Sequence, residues 1–133
     1  MVVDTSVVIS ILKGEPGSTG FISAIFTAET VLVGAPNLLE ASMVFVSRTE
    51  GDSRDIDTFC SGLGVRVVPF GPDEYRHAAA AFHRYGKGRH PARLNFGDCM
   101  AYAVSKATGE PLLFKGADFA KTDVERHPAS APD

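Results

Sequence analysis

Short apolar runs alternate along the chain with longer stretches in which apolar positions recur every three to four residues. Met1–Val3 predicts a buried strand, followed by a helix from about Ser6 to Lys13 that Gly14-Glu15-Pro16-Gly17 breaks. A second amphipathic helix runs from about Thr19 to Ala28, and Val31–Val33 reads as a strand closed by Ala35-Pro36. Asn37 then opens a helix to about Thr49, with Leu38, Ala41 and Phe45 on one face and Leu39, Met43 and Val46 beside it. Asp52–Gly62 predicts a short helix, Val65–Phe70 a third strand, and Pro72–Tyr85 a long helix with proline near its start. Gly86–Arg93 is polar, basic and glycine-containing, hence a loop. A helix from about Phe96 to Thr108, a strand at Pro111–Phe114 and a helical turn after Asp118 complete the pattern, and the tail from about His127 is expected to fray.

Strands that alternate with helices predict an α/β fold, a layered sandwich around a mainly parallel central sheet. With no repeat, linker or low-complexity segment, the 133 residues read as a single domain, 1–133, able to bury roughly two-thirds of its unfolded surface. An apolar content of 44% with 22% charged residues excludes wholesale disorder. No apolar run approaches the ~18 residues of a membrane span. Cys60 and Cys99 match no paired metal spacing and no signal peptide is visible, so a reducing, cytoplasmic setting is expected. A net charge of −3 does not announce a nucleic-acid binder, but the distribution of charge matters more than its sum.

Parallel sheets place ligands beyond the carboxyl ends of their strands, which makes four acids informative. Asp4 follows strand one, Glu40 lies in the first turn after strand two, Asp118 follows strand four, and Asp98 lies in the first turn of the helix feeding strand four. Gathered at one sheet edge, they must protonate or bind a cation, and hard oxygen donors suit Mg²⁺ or Mn²⁺ rather than Zn²⁺. Setting these 4 aside from the 16 acidic residues leaves 12 against 13 basic ones, so the acidity of the chain resides in this cluster. Structural roles compete at each position. Glu40 stands three after Asn37 and Asp98 three after Asn95, both spacings of a capping box, and Asp4 or Asp118 can serve as an N-cap.

Val3-Asp4-Thr5-Ser6, Asn37-Leu38-Leu39-Glu40-Ala41-Ser42, Leu94-Asn95-Phe96-Gly97-Asp98-Cys99 with Ala101-Tyr102-Ala103, and Leu112-Leu113-Phe114-Lys115-Gly116-Ala117-Asp118-Phe119 with Thr122-Asp123 resemble, in order, the motifs of PIN-domain ribonucleases. Size and motif order are most similar to the VapC-type toxins of bacterial toxin–antitoxin modules, over residues 1 to about 124. The resemblance implies a three-layer PIN-like sandwich and a Mg²⁺-dependent endoribonuclease toxin. Asp4 and Asp98 would bind the metal, Glu40 and Asp118 would complete the acidic site, and Thr5 or Ser6 would steady the first acid. It also implies an RNA substrate, a cognate antitoxin, a homodimer, and operator DNA engaged only through the antitoxin. Ala117 departs from the acidic or amide residue that close relatives often carry there, which leaves Asp123 as a second candidate for the fourth acid.

The chemistry agrees with that implication, since a carboxylate-held cation makes water nucleophilic and offsets charge on a phosphodiester, alone or with a second ion. The stretch His83–Arg93 carries Arg84, Lys87, Arg89 and Arg93. It reads either as a solvated loop or as an RNA phosphate clamp with Tyr85 as a stacking surface. Ile11, Leu12, Phe21, Ile25 and Phe45 read as core, or in part as a partner groove. Two rivals stand beside the nuclease: a PIN-like binding module with a vestigial metal site, and a haloacid-dehalogenase-like phosphatase. The phosphatase needs a second aspartate at position 6, where this chain has Ser6.

Overall fold

The computed structural model describes residues 1–131. Four strands, β1 (Val2–Val3), β2 (Leu32–Gly34), β3 (Arg66–Val68) and β4 (Leu112–Leu113), form one sheet in the order β3-β2-β1-β4. Every pairing is parallel, with Val2 opposite Leu32 on one side and Leu112 on the other. The helices are α1 (Thr5–Leu12), α2 (Ser18–Thr27), α3 (Ala35–Arg48), α4 (Ser53–Leu63), α5 (Pro72–Tyr85) and α6 (Phe96–Thr108), with a 3₁₀ turn at Phe119–Lys121. No helix among the described residues is long and apolar enough to cross a membrane.

The two-residue period of a strand divides the core into two layers. Val2, Leu32 and Leu112 face a cluster with Ala81 and Tyr85 of α5 and Tyr102 and Val104 of α6. Val3, Val33 and Leu113 face the opposite way, against Val7 and Val8 of α1, Phe21 and Ile25 of α2, Ala41 of α3 and Phe59 of α4. With helices on both faces, the polar ends of the central strands are left as the open edge. The first turns of α1, α3 and α6 meet there.

Several local expectations change. The helix α3 begins at Ala35, two residues before Asn37, with Pro36 in its first turn, where a missing N–H costs nothing. Asn37 is therefore inside the helix, and no Asn37–Glu40 capping box forms. The tail does not fray from His127. Leu112 and His127 exchange backbone bonds with the 112 and 125–127 segments (Leu112 N–H to Glu125 O 2.8 Å, His127 N–H to Leu112 O 2.9 Å). Ala131 N–H donates to Phe114 O, Gly116 N–H donates to Ala131 O, and buried Ser130 Oγ bonds both Leu112 O and Phe114 N–H. The open flank of β4 is thus paired, which satisfies backbone groups that would otherwise be exposed. Phe21, Ile25 and Phe45 are buried and so belong to the core, while Ile11 and Leu12 are half-buried against it. The exposed apolar side chains are others: Phe26, Leu39, Met43, Val46, Val67, Tyr75, Phe82 and Phe96.

Candidate active site

Asp4 leaves β1 and caps α1, accepting from Ser6 N–H at 3.0 Å. The Ser6 hydroxyl donates to the same oxygen, Oδ2, at 2.6 Å and accepts from Lys115 N–H at 3.0 Å, which ties the end of β4 to this acid. Capping and site placement are therefore not rivals here, because one oxygen caps and Oδ1 stays available. Asp98 repeats the arrangement. Its Oδ2 accepts from Asn95 N–H at 3.0 Å while Asn95 Oδ1 accepts from Asp98 N–H at 2.9 Å, a complete capping box that orients the carboxylate.

Asp4, Glu40 and Asp98 line one cleft of about 250 Å³ with Thr5, Ser6 and Asn95. Three elements meet there because Asn37 bridges them. Its Nδ2 donates to Thr5 Oγ1 at 3.1 Å and to Gly97 O at 3.0 Å, and Thr5 Oγ1 donates to Asn37 O at 3.2 Å. Asn37 is fully buried, and Thr5 is buried beside it. Gly97 has a separate role: a Cβ there would collide with both Glu40 carboxylate oxygens. Neither role was legible beforehand. The asparagine spacing reads as a cap, and a helical glycine reads as a weak propensity choice.

Burial pushes the Asp4 carboxyl above its ordinary range, opposed by the Ser6 hydrogen bonds and reinforced by Glu40. Burial also raises Asp98, to about 7. The Asn95 N–H opposes this shift, while the charges of Asp4, Asp118 and Glu40 add to it. Like charges held in a poorly solvated cleft resist joint ionisation, and a cation relieves that cost. The donor set is all oxygen, which fits a hard divalent ion. Among the described residues no three His, Cys, Asp or Glu side chains gather at ligating spacing. One or two carboxylates, with water completing the octahedron, is the ligand pattern Mg²⁺ favours.

Asp118 sits exposed at the start of the 3₁₀ turn and does not line the cleft, though its charge reaches Asp98. Asp123 is no substitute as fourth acid. It accepts from Tyr102 Oη at 2.7 Å and pairs with Lys106 at 3.1 Å and Arg84 at 3.6 Å. Its partial burial raises the carboxyl, but these donors hold it below the ordinary range. Arg84 is accordingly occupied by Asp123 and by the Tyr85 ring, 4.8 Å from its guanidinium. Tyr85 is itself buried, so it offers no stacking surface. The loop is ordered through a Gly86–Leu94 bridge, and Lys87, Arg89 and Arg93 line a separate shallow concavity without Arg84. Arg48, in the last turn of α3, is a cleft residue that the charge pattern did not single out.

The PIN domain family model matches residues 1–125. Ribonuclease VapC30 of Mycobacterium tuberculosis is 39% identical over 125 residues, 93% of this chain and 95% of its own length. Ribonuclease VapC42 of the same species is 40% identical over 126 residues, 93% and 96%. A toxin–antitoxin complex from Klebsiella pneumoniae shares the fold at TM-score 0.72 and 13% identity, covering 98% of both chains. Mycobacterium tuberculosis VapC20, a sarcin-ricin loop cleaving toxin, does so at 0.70 and 21%, covering 96% and 98%. The chain belongs to the PIN domain family, among its VapC ribonucleases.

Proposed function

We propose that the protein is a divalent-metal-dependent endoribonuclease, the toxin of a toxin–antitoxin pair, acting as a single domain. One observation carries the reading: Asp4, Glu40 and Asp98 converge in one cleft, each held by its own structural device. Relatives named ribonucleases over 93% of the chain support the same activity. Asp4 and Asp98 would hold the cation, Mg²⁺ with Mn²⁺ as its nearest substitute. When bound, such an ion supplies a more acidic water and positive charge against the phosphate. Glu40 orients the attacking water or takes its proton, and Asp118 adds a fourth negative charge at the rim. Ser6 fixes the Asp4 rotamer, and Thr5 holds the Asn37 bridge behind it. Lys87, Arg89 and Arg93 present a phosphate-binding concavity two residues from Asn95.

The partners follow from chemistry and kinship. Exposed Leu39, Met43 and Val46 form one apolar stripe on α3 at spacings of four and three. Tyr75, Phe82 and Phe96 border an apolar hollow of about 530 Å³ between α5 and α6. Two apolar faces of this kind suit two protein partners, an antitoxin and a second copy of the chain. The likeness to a toxin–antitoxin complex supports the first. Operator DNA is reached through the antitoxin, and the setting is cytoplasmic.

The deciding experiment is RNA cleavage with Mg²⁺, with chelator, and with Asp98→Asn in Mg²⁺. Cleavage should occur only in the first case. A wild-type protein that binds its antitoxin but never cleaves RNA would instead be a PIN-like binding module with a vestigial metal site.

A further inference from the structure

The cleft has a direction. Glu40, Val44 and Arg48 all line it, and their spacing of four and four puts them in one row along α3. Asp4, Asp98 and Glu40 occupy the end towards the N-terminus of α3. Arg48 occupies the other end, eight residues on, about 12 Å by helical rise. The floor between them is apolar, formed by Val44 and by Ile9 of α1. Arg48 is exposed, and it makes no hydrogen bond or ion pair within 4 Å of any of the three acids. A cation that lines an acidic cleft without neutralising it is free for an anion delivered from outside.

On the nuclease reading above, we propose that Arg48 is an RNA-binding residue that anchors a phosphate flanking the one hydrolysed, and so fixes the direction in which the strand lies along α3. An anionic strand entering past three carboxylates is repelled at the acidic end. A guanidinium two turns along the same row offsets that repulsion without pairing with the acids. Eight residues of helix separate the backbone of Arg48 from that of Glu40, which places Arg48 to meet the strand beside the reacting phosphate. Guanidinium grips phosphate through two parallel N–H bonds, whereas an ammonium acts as a point charge, so Arg48→Lys should recover only part of the effect.

The test uses the full chain and a labelled ten-nucleotide single-stranded RNA of mixed sequence. Binding is followed across salt concentrations with Ca²⁺ in place of Mg²⁺, and cleavage is measured in Mg²⁺. Arg48→Ala should weaken RNA binding roughly fivefold and flatten the log–log salt dependence by about 0.7. KM should rise by a similar factor while kcat changes less than twofold, because the acids are untouched. Arg48→Lys should restore the salt slope but not the full affinity, and both variants should melt with wild type. An unchanged salt slope and KM in Arg48→Ala, with the wild type cleaving normally, overturns the assignment and leaves the nuclease reading intact. Weakened antitoxin binding with unchanged RNA binding also overturns it, making Arg48 a protein contact. A wild type that neither binds nor cleaves the RNA overturns both.

Discussion

The α-carbon of Gly97 backs directly onto the carboxylate of Glu40, so closely that a side chain here fits only if the end of Glu40 moves. The contact sets Glu40 beside Asp98, the next residue, where its charge helps raise the Asp98 carboxyl. Gly97→Ala should therefore push the flexible end of Glu40 aside. Stability should change by less than about 1 kcal/mol, since alanine favours the helix and only a side-chain tip must move. Cleavage should fall at least tenfold. Wild-type cleavage by Gly97→Ala would mean that the position of Glu40 is irrelevant to activity.

Asn37 holds the rear of the cleft by joining Thr5 to Gly97. Asn37→Ala removes two buried hydrogen bonds, to Thr5 and to Gly97 O, a loss of about 1–3 kcal/mol. A urea melt should show that loss, together with a drop in kcat that exceeds any change in KM. If activity survives in a protein destabilised to this degree, the bridge stabilises the fold without positioning the acids.

The raised Asp98 carboxyl has a consequence for stability in chelator. Its folded value of about 7 exceeds its ordinary value of 3.8, so the folded state binds the extra proton between those limits. Stability is then highest below pH 4 as far as this group is concerned, falls as pH rises towards 7, and levels off above it. Between pH 5 and 8 the chelated protein should lose about 2–3 kcal/mol from this source. Asp98→Asn should flatten that decline, and Mg²⁺ should reverse it in the wild type by binding the ionised form. A melting temperature independent of pH in chelator, in wild type and variant alike, would show that the cleft does not resist ionisation.

The basic concavity is tested by the pair Lys87→Ala and Arg89→Ala. Phosphate contacts position a strand without reading its bases, so binding should weaken equally across RNA sequences. The salt dependence should flatten by up to ~1.4 for the two together. Arg84→Ala should instead leave binding unchanged, because that side chain is paired with Asp123 and Tyr85. The reverse pattern would move the RNA path to the α5 side of the loop.

Periodicity alone determined the alternation of strands and helices, and with it the parallel sheet, because each element must bury an apolar face of fixed period. It likewise placed Asp4 at a strand end and Asp98 in a first helical turn, but the first turn it expected for Glu40 became the second because α3 starts early, at Ala35. Whether those acids capped or converged could not be decided from spacing, because one carboxylate has two oxygens and can do both. Asp4 and Asp98 each do so. The tertiary structure alone decided that Asn37 is a buried bridge and Asp123 a neutralised partner of Tyr102 and Lys106. It also decided that the tail pairs with β4 and that Arg48 shares a cleft with Glu40 of its own helix and with acids from two other segments, Asp4 and Asp98. The reason is range. Local patterns record what a residue does for its own helix or strand, whereas these roles depend on atoms brought together from positions tens of residues apart.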